Sequence, residues 1–408
     1  MKKNITIITA NFYPEDTAIG LYTTQFAEYL AVDNQVTVLT GFPYYPQWKI
    51  YTEYQQKENI VIEYLNGIKI IRSKQYVPSK VTLIKRLKMI FSFVLGISKN
   101  KNKVKECDVV ICLVPFTFSI FTAYKLAKQT NAKLWIHIQD FEFDLAFESG
   151  IFKKSSLISF MTQKTVYTIE RFLLNKANVI STISNQMMLK VSEKSNNKDV
   201  FYFPNWISKE KINPEVAQKH AFFKDNKFSL LYSGNIGEKQ DWNLFLSVAE
   251  RLQNNTNIEI IIVGNGGYLN TLKERCKMLN NVTFHDLVPY EELNNLLCSA
   301  SLHFLFQKNE VLDTLMPSKL LGMMASTRPC LVTGNPKSEV AKVLTEDCGY
   351  YIANPSTETI YEIINRISQN EIDSSKLGIK AREKIINQFS DSKVLARFKE
   401  KINEISNA

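Results

Sequence analysis

The sequence predicts an α/β protein with two Rossmann-like, doubly wound domains. Short apolar strands alternate with helical segments along most of the chain, which is the pattern of parallel sheets covered by helices. The chain has 408 residues, more than one ordinary domain core uses. Loops that contain glycine, or proline followed by serine and lysine, come after several of the strands. Because doubly wound sheets bind ligands at the carboxyl ends of their strands, these loops are the candidate sites.

The first domain is predicted to span residues 1–206. A buried strand at residues 5–8 leads into a loop that contains Gly20, and a helix at residues 22–32 follows. Gly20 could allow the close approach of a ligand, or it could simply permit a turn. The aromatic, proline-broken loop at residues 41–48 also follows a strand and could shape an acceptor pocket.

The second domain is predicted to span residues 207–378. It begins in a polar linker at residues 209–227 and continues as a new series of alternating strands and helices. A long amphipathic segment at residues 379–408 is expected to be helical and to pack back on the first domain.

The formal net charge of +10 suggests an anionic partner. The densest basic cluster flanks the apolar residues 89–95, and a basic amphipathic helix with aromatic residues can lie in the headgroup region of a membrane. Nucleic acid is disfavoured, because the aromatic residues do not form a stacking platform. The alternative is a buried helix with solvated ends. The residues predicted to contact a membrane or the acceptor are Lys85, Arg86, Lys88, Phe91 and Phe93.

A cluster of titratable residues lies at the carboxyl end of the strand that ends at Ile138. His137 and Asp140 are the candidates for a general base or for a residue that orients the acceptor. The alternatives are a hydrogen-bonded core histidine and an aspartate that caps a helix.

Three loops of the second domain could bind phosphate. Residues 233–239 and 264–267 are glycine-bearing loops between a strand and a helix, where backbone amides can approach an anion. Pro317 starts a further helix, and the helix N-terminus with the Ser318 hydroxyl and the Lys319 ammonium could hold a diphosphate. The alternative for this segment is a capped core helix with a solvated lysine.

Several features bear on compartment and metal binding. The six cysteines are scattered without a C-x-x-C pair, which is typical of a reduced cytoplasmic protein. We expect no signal peptide and no membrane span, since neither apolar pattern is present. There is no D-x-D sequence and no metal-ligand spacing, so we expect no metal and no other cofactor.

Six segments together resemble the retaining GT-B nucleotide-sugar glycosyltransferases of family 4. They are NFYPEDTAIGLYTTQFAEYLA, WIHIQDF, YFPNW, YSGNIGEKQ, IIIVGNGG and MPSKLLGMMASTRPCL. Within that family the chain is similar to the colanic-acid and O-antigen transferases that act on lipid-linked sugars, of the fucosyl- or N-acetylfucosaminyl-transferase type. The resemblance implies two Rossmann-like domains that face a cleft, with a nucleotide-sugar held by the C-terminal one.

The resemblance also implies site residues. Gly234, Asn235 and Lys239 match the diphosphate loop of the family, and Gly20 matches a glycine that approaches the same diphosphate. The residues assigned to the donor site are Gly20, Ser233, Gly234, Asn235, Lys239, Gly264, Asn265, Gly266, Leu287, Thr314, Leu315, Ser318 and Lys319. The residues assigned to catalysis are Asp140, His137 and Lys319.

Two departures from the family pattern affect these assignments. Many members carry two glutamates spaced E-x7-E, which align with Thr314 and Gly322 here, so a carboxylate that binds the ribose is missing from that position. A histidine of the catalytic site in several members aligns near Gln139 rather than His137. Asp140 keeps the neighbouring acidic position and is the preferred base or orienting residue.

The implied function is metal-independent transfer, with retention, from a nucleotide-diphosphate-sugar to a saccharide acceptor in surface polysaccharide biosynthesis. A UDP-sugar is the favoured donor, and the acceptor is expected to be linked to a polyprenyl diphosphate. The protein is expected to lie on the cytoplasmic face of an anionic membrane as a peripheral protein and to bind no nucleic acid. The alternatives are a nucleotide-sugar epimerase of the same fold and a non-catalytic protein that binds sugar nucleotides or lipids.

Overall fold

The computed structural model describes residues 2–80, 82–144, 157–196, 200–310 and 318–407. The chain divides into two compact units. Unit 1 contains Met1–Pro204 and Leu395–Ala408, and unit 2 contains Asn205–Val394. Each unit contains a sheet of mostly parallel strands with helices, so the predicted α/β class with two Rossmann-like domains is confirmed.

Unit 1 is built on an eight-stranded sheet with the order β3-β4-β2-β1-β5-β6-β7-β8. All neighbouring strands are parallel except β3 and β4, which form an antiparallel hairpin. The hairpin turns at Asn66 and Gly67, both with positive φ, as the Asn-Gly pair favours. The strands are β1 (Asn4–Ile8), β2 (Gln35–Gly41), β3 (Ile60–Leu65), β4 (Ile68–Ser73), β5 (Val109–Val114), β6 (Lys133–Ile138), β7 (Val179–Thr182) and β8 (Val200–Tyr202).

The central strands of unit 1 are apolar because helices cover the sheet. Every residue of β5 is buried, as are most residues of β1 and β6. The helices of unit 1 up to β8 are α1 (Ala18–Ala31), α2 (Thr52–Gln55), α3 (Leu83–Asn100), α4 (Ser119–Thr130), α5 (Leu157–Leu174) and α6 (Asn185–Lys194). In the part of the chain that the structure describes, no helix is both long enough and apolar enough to cross a membrane.

Unit 2 is built on a six-stranded parallel sheet with the order β11-β10-β9-β12-β13-β14. The strands are β9 (Phe228–Ser233), β10 (Ile258–Val263), β11 (Val282–His285), β12 (Leu302–Phe306), β13 (Cys330–Thr333) and β14 (Tyr350–Ile352). Its helices are α7 (Trp242–Leu252), α8 (Leu269–Arg275), α9 (Leu293–Ser299), α10 (Ser318–Ala325), α11 (Glu339–Val343), α12 (Thr357–Ser368) and α13 (Ser375–Phe389). Because all neighbours are parallel, the carboxyl ends of all six strands lie at one edge.

The last two helices belong to different units. Helix α13 packs in unit 2, because Gly378 approaches so closely that an added Cβ would lie 1.9 Å from the Thr327 carbonyl oxygen. On the same helix, the Arg382 guanidinium donates to the Ala325 carbonyl at 2.5 Å. The chain returns to unit 1 only at Leu395, in helix α14 (Asp391–Asn407). The predicted return at residue 379 was therefore early by one helix.

Phe398 fixes α14 in the core of unit 1. Its ring is 1% exposed and stacks on Phe203, with ring centroids 4.0 Å apart. The same ring contacts Phe26 at 4.6 Å and Trp135 at 5.2 Å. One aromatic side chain from the C-terminal segment thus joins residues of α1 and β6 and the loop after β8.

We expect Phe398→Ala to lower the free energy of unfolding by about 3–5 kcal/mol, the usual cost of truncating a buried phenylalanine. The measurement is urea-induced unfolding followed by tryptophan fluorescence. The matched control is Phe172→Ala, because Phe172 is 56% exposed and should cost less than about 1 kcal/mol. Equal effects of the two substitutions would contradict the position of α14.

Candidate functional site

Two loops at the carboxyl edge of unit 2 pack directly on each other through glycine. The Gly234 N–H donates to the Val263 carbonyl at 2.9 Å, and the Ile236 N–H donates to the Asn265 carbonyl at 2.9 Å. A Cβ added to Gly264 would lie 2.0 Å from the Gly234 carbonyl oxygen. The loops after β9 and β10 therefore leave no room for side chains at their contact, and the glycines are required by backbone packing.

Gly266, two residues further along the same loop, makes a similar close approach. A Cβ added there would lie 2.3 Å from the Ile236 carbonyl oxygen, and the Gly266 N–H donates to the Asn265 side chain at 2.7 Å. The Ile236 carbonyl also accepts from the Tyr268 N–H at 3.0 Å, at the start of α8. The predicted donor residues Asn235 and Asn265 are both exposed on this edge.

Lys319 reaches the first of these loops from the start of α10. Its ammonium donates to the Tyr232 hydroxyl at 2.7 Å and lies 3.4 Å from the Asn235 carbonyl oxygen. The Tyr232 hydroxyl in turn donates to the Asn235 carbonyl at 2.6 Å, and burial raises the pKa of this phenol. A Cβ added to Gly234 would lie 3.2 Å from Lys319 Cε. A cation is thus held against the glycine loop that follows β9.

The other predicted donor residues lie at several points of the same region. Ser233 ends β9, Lys239 is exposed on the loop that follows, and Leu287 is 52% exposed after β11. Ser318 is the first residue of α10. Thr314 and Leu315 lie outside the described residues.

The missing ribose carboxylate has a structural counterpart in α10. A Cβ added to Gly322 would lie 3.0 Å from Leu297 Cδ1, so this side of α10 packs against α9. Gly322 is buried, as is Leu321 beside it. The helix therefore presents Lys319 to the glycine loop and buries Gly322, the position that the family resemblance aligns with a glutamate.

His137 lies in the core of unit 1 and has partners on both ring nitrogens. Nδ1 is 2.8 Å from the Ser181 hydroxyl, and Nε2 is 2.9 Å from the Gln139 side-chain nitrogen, which can only donate. The ring meets Phe398 edge-on, and burial lowers the pKa of His137 to about 3. This is the arrangement of a neutral core histidine, the alternative that the sequence left open.

The loop after β6, which carries Asp140, is fixed by two buried carboxylates. Glu142 accepts from the Phe116 and Thr117 N–H groups at 3.1 and 2.5 Å. Asp144 is held by Lys194 at 2.5 Å. Asp140 is half-buried, precedes both carboxylates in the chain and follows the carboxyl end of β6 by two residues.

A third buried carboxylate organises the loops after β1 and β2. Glu15 accepts from the Tyr44 and Tyr45 N–H groups at 2.7 and 2.8 Å, so it fixes the aromatic loop that the sequence assigned to the acceptor. Burial raises the pKa of Glu15, while the two N–H groups oppose that shift. A Cβ added to Gly20 would lie 2.6 Å from the Glu15 carbonyl oxygen, so Gly20 is needed for packing within the chain. Glu15 and Glu142 were not among the predicted site residues, although both lie in segments that the sequence singles out.

The predicted membrane surface on α3 separates into two faces. Lys85, Lys88 and Phe91 are exposed, together with Ile84 and Leu95. Phe93 is not part of this surface. It is 1% exposed and packs on Phe116 with ring centroids 5.4 Å apart, because it lies on the opposite face of the helix. Arg86 is half-buried on that inner face.

Among the described residues, no group of three or more histidine, cysteine, aspartate or glutamate side chains is placed to hold a metal ion.

Comparison with known proteins shows the family of the chain. Residues 213–384 match the family of group 1 glycosyl transferases. The chain is 31% identical over 354 residues to WcaI of Escherichia coli (strain K12), which is named for a glycosyl transferase of colanic acid biosynthesis. The match covers 83% of this chain and 85% of that protein.

Two solved structures show the fold. Sucrose-phosphate synthase from Thermosynechococcus elongatus has a TM-score of 0.73 at 14% identity, and the match covers 99% of each chain. Anabaena HepE in complex with UDP and glucose has a TM-score of 0.70 at 11% identity and covers 98% of this chain and 100% of that one. The fold and these matches define a glycosyltransferase of the GT-B class. The chain belongs to the group 1 glycosyl transferases.

We expect the ring of His137 to stay neutral between pH 8 and pH 5, because its pKa lies near 3 in the folded protein. The unfolded state takes up a proton near pH 6.5, so the stability that this group supplies is present above that pH and is lost as the pH falls towards 3. Histidine-selective NMR of the native protein checks the ring, and the urea-unfolded protein is the control that must titrate near 6.5. A native His137 that titrates near pH 6.5 would show an accessible ring and restore it as a candidate base.

Proposed function

We propose that this glycosyltransferase moves a sugar from a nucleotide-diphosphate-sugar to a lipid-linked saccharide during surface polysaccharide biosynthesis. The name of WcaI, in colanic acid biosynthesis, supports the polysaccharide. The complex of HepE with UDP and glucose supports a UDP-sugar as the favoured donor. The sequence resemblance to family 4 supports transfer with retention and without a metal ion.

The contact of Lys319 with the loop after β9 is the observation that carries the donor assignment. The ammonium lies beside Gly234 and contacts the Tyr232 hydroxyl and the Asn235 carbonyl oxygen. A leaving nucleoside diphosphate gains negative charge as the glycosidic bond breaks, so a fixed cation and backbone N–H groups stabilise it in the transition state. Lys239, on the same loop, is proposed to add a second positive charge.

Asp140 is the proposed base or orienting residue for the acceptor. It lies in the loop after β6, and Glu142 and Asp144 fix that loop on both sides of Phe143. Such fixation lets a carboxylate keep one position during the reaction, which transfer chemistry requires. His137 is proposed to support this loop as a neutral residue through Gln139.

The outer face of α3 and α4 is proposed to lie on an anionic membrane. Neither helix contains an aspartate or a glutamate. Exposed lysines alternate there with exposed apolar side chains, and Phe121 on α4 is 45% exposed. This combination suits the headgroup region, where apolar side chains insert and lysines meet lipid phosphates. It would place the protein at the cytoplasmic face, close to a lipid-linked acceptor.

We expect Lys319→Ala to lower the transfer rate at saturating donor by about a hundredfold or more, since one strong transition-state donor is lost. The measurement is transfer of radiolabelled sugar from a panel of UDP-, GDP- and dTDP-sugars to membrane lipid extracts. Lys273→Ala is the matched control, because Lys273 is an exposed lysine on α8. Normal turnover of Lys319→Ala would refute the donor assignment, and consumption of donor without any acceptor would favour the epimerase.

Charge reversal on the outer face should release the protein from membranes. We expect Lys85→Glu with Lys88→Glu to reduce binding to vesicles containing phosphatidylglycerol by about thirtyfold or more, from about 1 kcal/mol of attraction per lysine. Vesicle co-sedimentation measures it. Lys57→Glu with Lys74→Glu, a pair of exposed lysines elsewhere in unit 1, makes the same charge change as the control. Unchanged binding of the α3 variant would refute the membrane surface.

A further inference from the structure

Arg86 points away from the proposed membrane surface. Lys85 and Lys88 on either side of it are exposed, whereas Arg86 is half-buried. It shares a helical face with Met89 and Phe93, which lie three and seven residues later and are both buried. Arg86 therefore belongs to the protein-facing side of α3.

The start of α3 lies beside the loops at the carboxyl edge of unit 1. Phe93 packs on Phe116, and Phe91 stacks on Phe118 with ring centroids 5.7 Å apart. Both partners belong to the loop that follows β5. Arg86 precedes Phe93 by about two helical turns, roughly 10 Å along the axis. Arg86 therefore lies in the first turn of α3, at the end of the helix that is next to the carboxyl ends of the strands.

The positive charge of Arg86 acts on the pKa values of two buried side chains in the loops of unit 1. Burial raises the pKa of Glu142, and the Thr117 and Phe116 N–H groups and then the guanidinium act in the opposite direction. Burial and Glu15 also raise the pKa of Tyr44, and the guanidinium again opposes the shift. Arg86 is thus electrostatically close to the loop after β2 and to the loop that carries Asp140.

The guanidinium itself has no protein partner in the described ranges, where it forms neither a side-chain hydrogen bond nor an ion pair. Glu142 uses its two oxygens on backbone N–H groups, whereas Glu15 accepts two backbone N–H groups at Oε1 and the Asn11 side-chain amide at Oε2. A guanidinium has five N–H donors in a planar fork, which suits two oxygens of one phosphate. The first turns of the same helix also expose Ile84 and Phe91.

We propose that Arg86 binds a phosphate group of the lipid-linked acceptor. The inference rests on the acceptor class of the proposed function. The phosphate would lie on the inner face of α3, beside the Asp140 loop, while the prenyl chain would follow the exposed apolar side chains of Ile84 and Phe91. The bound amphiphile would therefore cross the first turns of α3, with its phosphate on the inner face and its chain on the outer face. The shared chemistry also fits the headgroup of an ordinary phospholipid, which the experiment separates.

The experiment measures binding of geranyl diphosphate, a soluble prenyl diphosphate without a sugar, by isothermal titration calorimetry. We expect Arg86→Gln to weaken binding by about ten- to a hundredfold, the effect of losing a hydrogen bond to a charged group. Arg86→Lys, which keeps the charge without the fork, should bind several-fold more weakly than the native protein. Lys57→Gln, at an exposed lysine outside α3 and α4, should leave the affinity unchanged.

A second control separates the two phosphate sites. Lys319→Ala should leave the affinity for geranyl diphosphate unchanged, because that residue belongs to the proposed donor site in unit 2. Weaker binding in Lys319→Ala but not in Arg86→Gln would place the probe at the donor site and overturn the proposal. So would equal binding by Arg86→Gln and the native protein.

Two further outcomes would also overturn it. If Arg86→Gln leaves phosphatidylglycerol vesicles as readily as Lys88→Gln does, Arg86 belongs to the membrane surface. If Arg86→Gln unfolds at a much lower temperature and Arg86→Lys binds like the native protein, Arg86 serves only to offset buried carboxylates. The binding assay needs no sugar transfer, so a protein that fails in every transfer assay refutes the proposed activity without deciding the fate of this site.

Discussion

Buried carboxylates that accept backbone N–H groups fix the functional edge of unit 1. Glu15 ties the loop after β1 to the loop after β2, and Glu142 ties the loop after β6 to the loop after β5. A carboxylate can accept several hydrogen bonds at once, so one side chain replaces a length of backbone pairing where the strands have ended. The positions of Asp140 and of the aromatic loop both depend on these contacts.

In unit 2, backbone contacts rather than buried carboxylates hold the loops that follow the strands. Its loops after β9 and β10 are joined by backbone hydrogen bonds. Gly234, Gly264 and Gly266 allow the two loops to approach to contact distance. The Lys319 ammonium lies at this edge, and a positive charge there suits an anionic ligand. The two edges therefore differ in charge. Buried carboxylates hold the loops of unit 1, whereas glycines and the Lys319 ammonium lie at the edge of unit 2.

The alternation of strands and helices was readable from the sequence because it depends on local apolar patterning. The glycine loops and Lys319 were also found, since loop glycines and a helix-starting proline have strong local signals. The roles of His137, Phe93 and Glu142 depend instead on what lies across the fold. His137 meets Ser181 from the next strand, and Phe93 meets a loop more than twenty residues away. Neither partner can be derived from periodicity, so a catalytic and a core histidine look alike in the sequence.

The pKa shifts of these buried groups determine how each one affects stability as the pH changes. Burial lowers the pKa of His137 and of His303, so both rings contribute most to stability above the unfolded pKa and lose that contribution on acidification. Burial raises the pKa of Glu15 and Glu142, which has the opposite consequence. Their ionisation costs stability as the pH rises from the unfolded value near 4.3 through the raised pKa of the folded protein. An apolar residue would avoid that cost but could not hold two N–H groups. The two carboxylates therefore fix the geometry of the loops, and their ionisation lowers the free energy of unfolding of the whole domain.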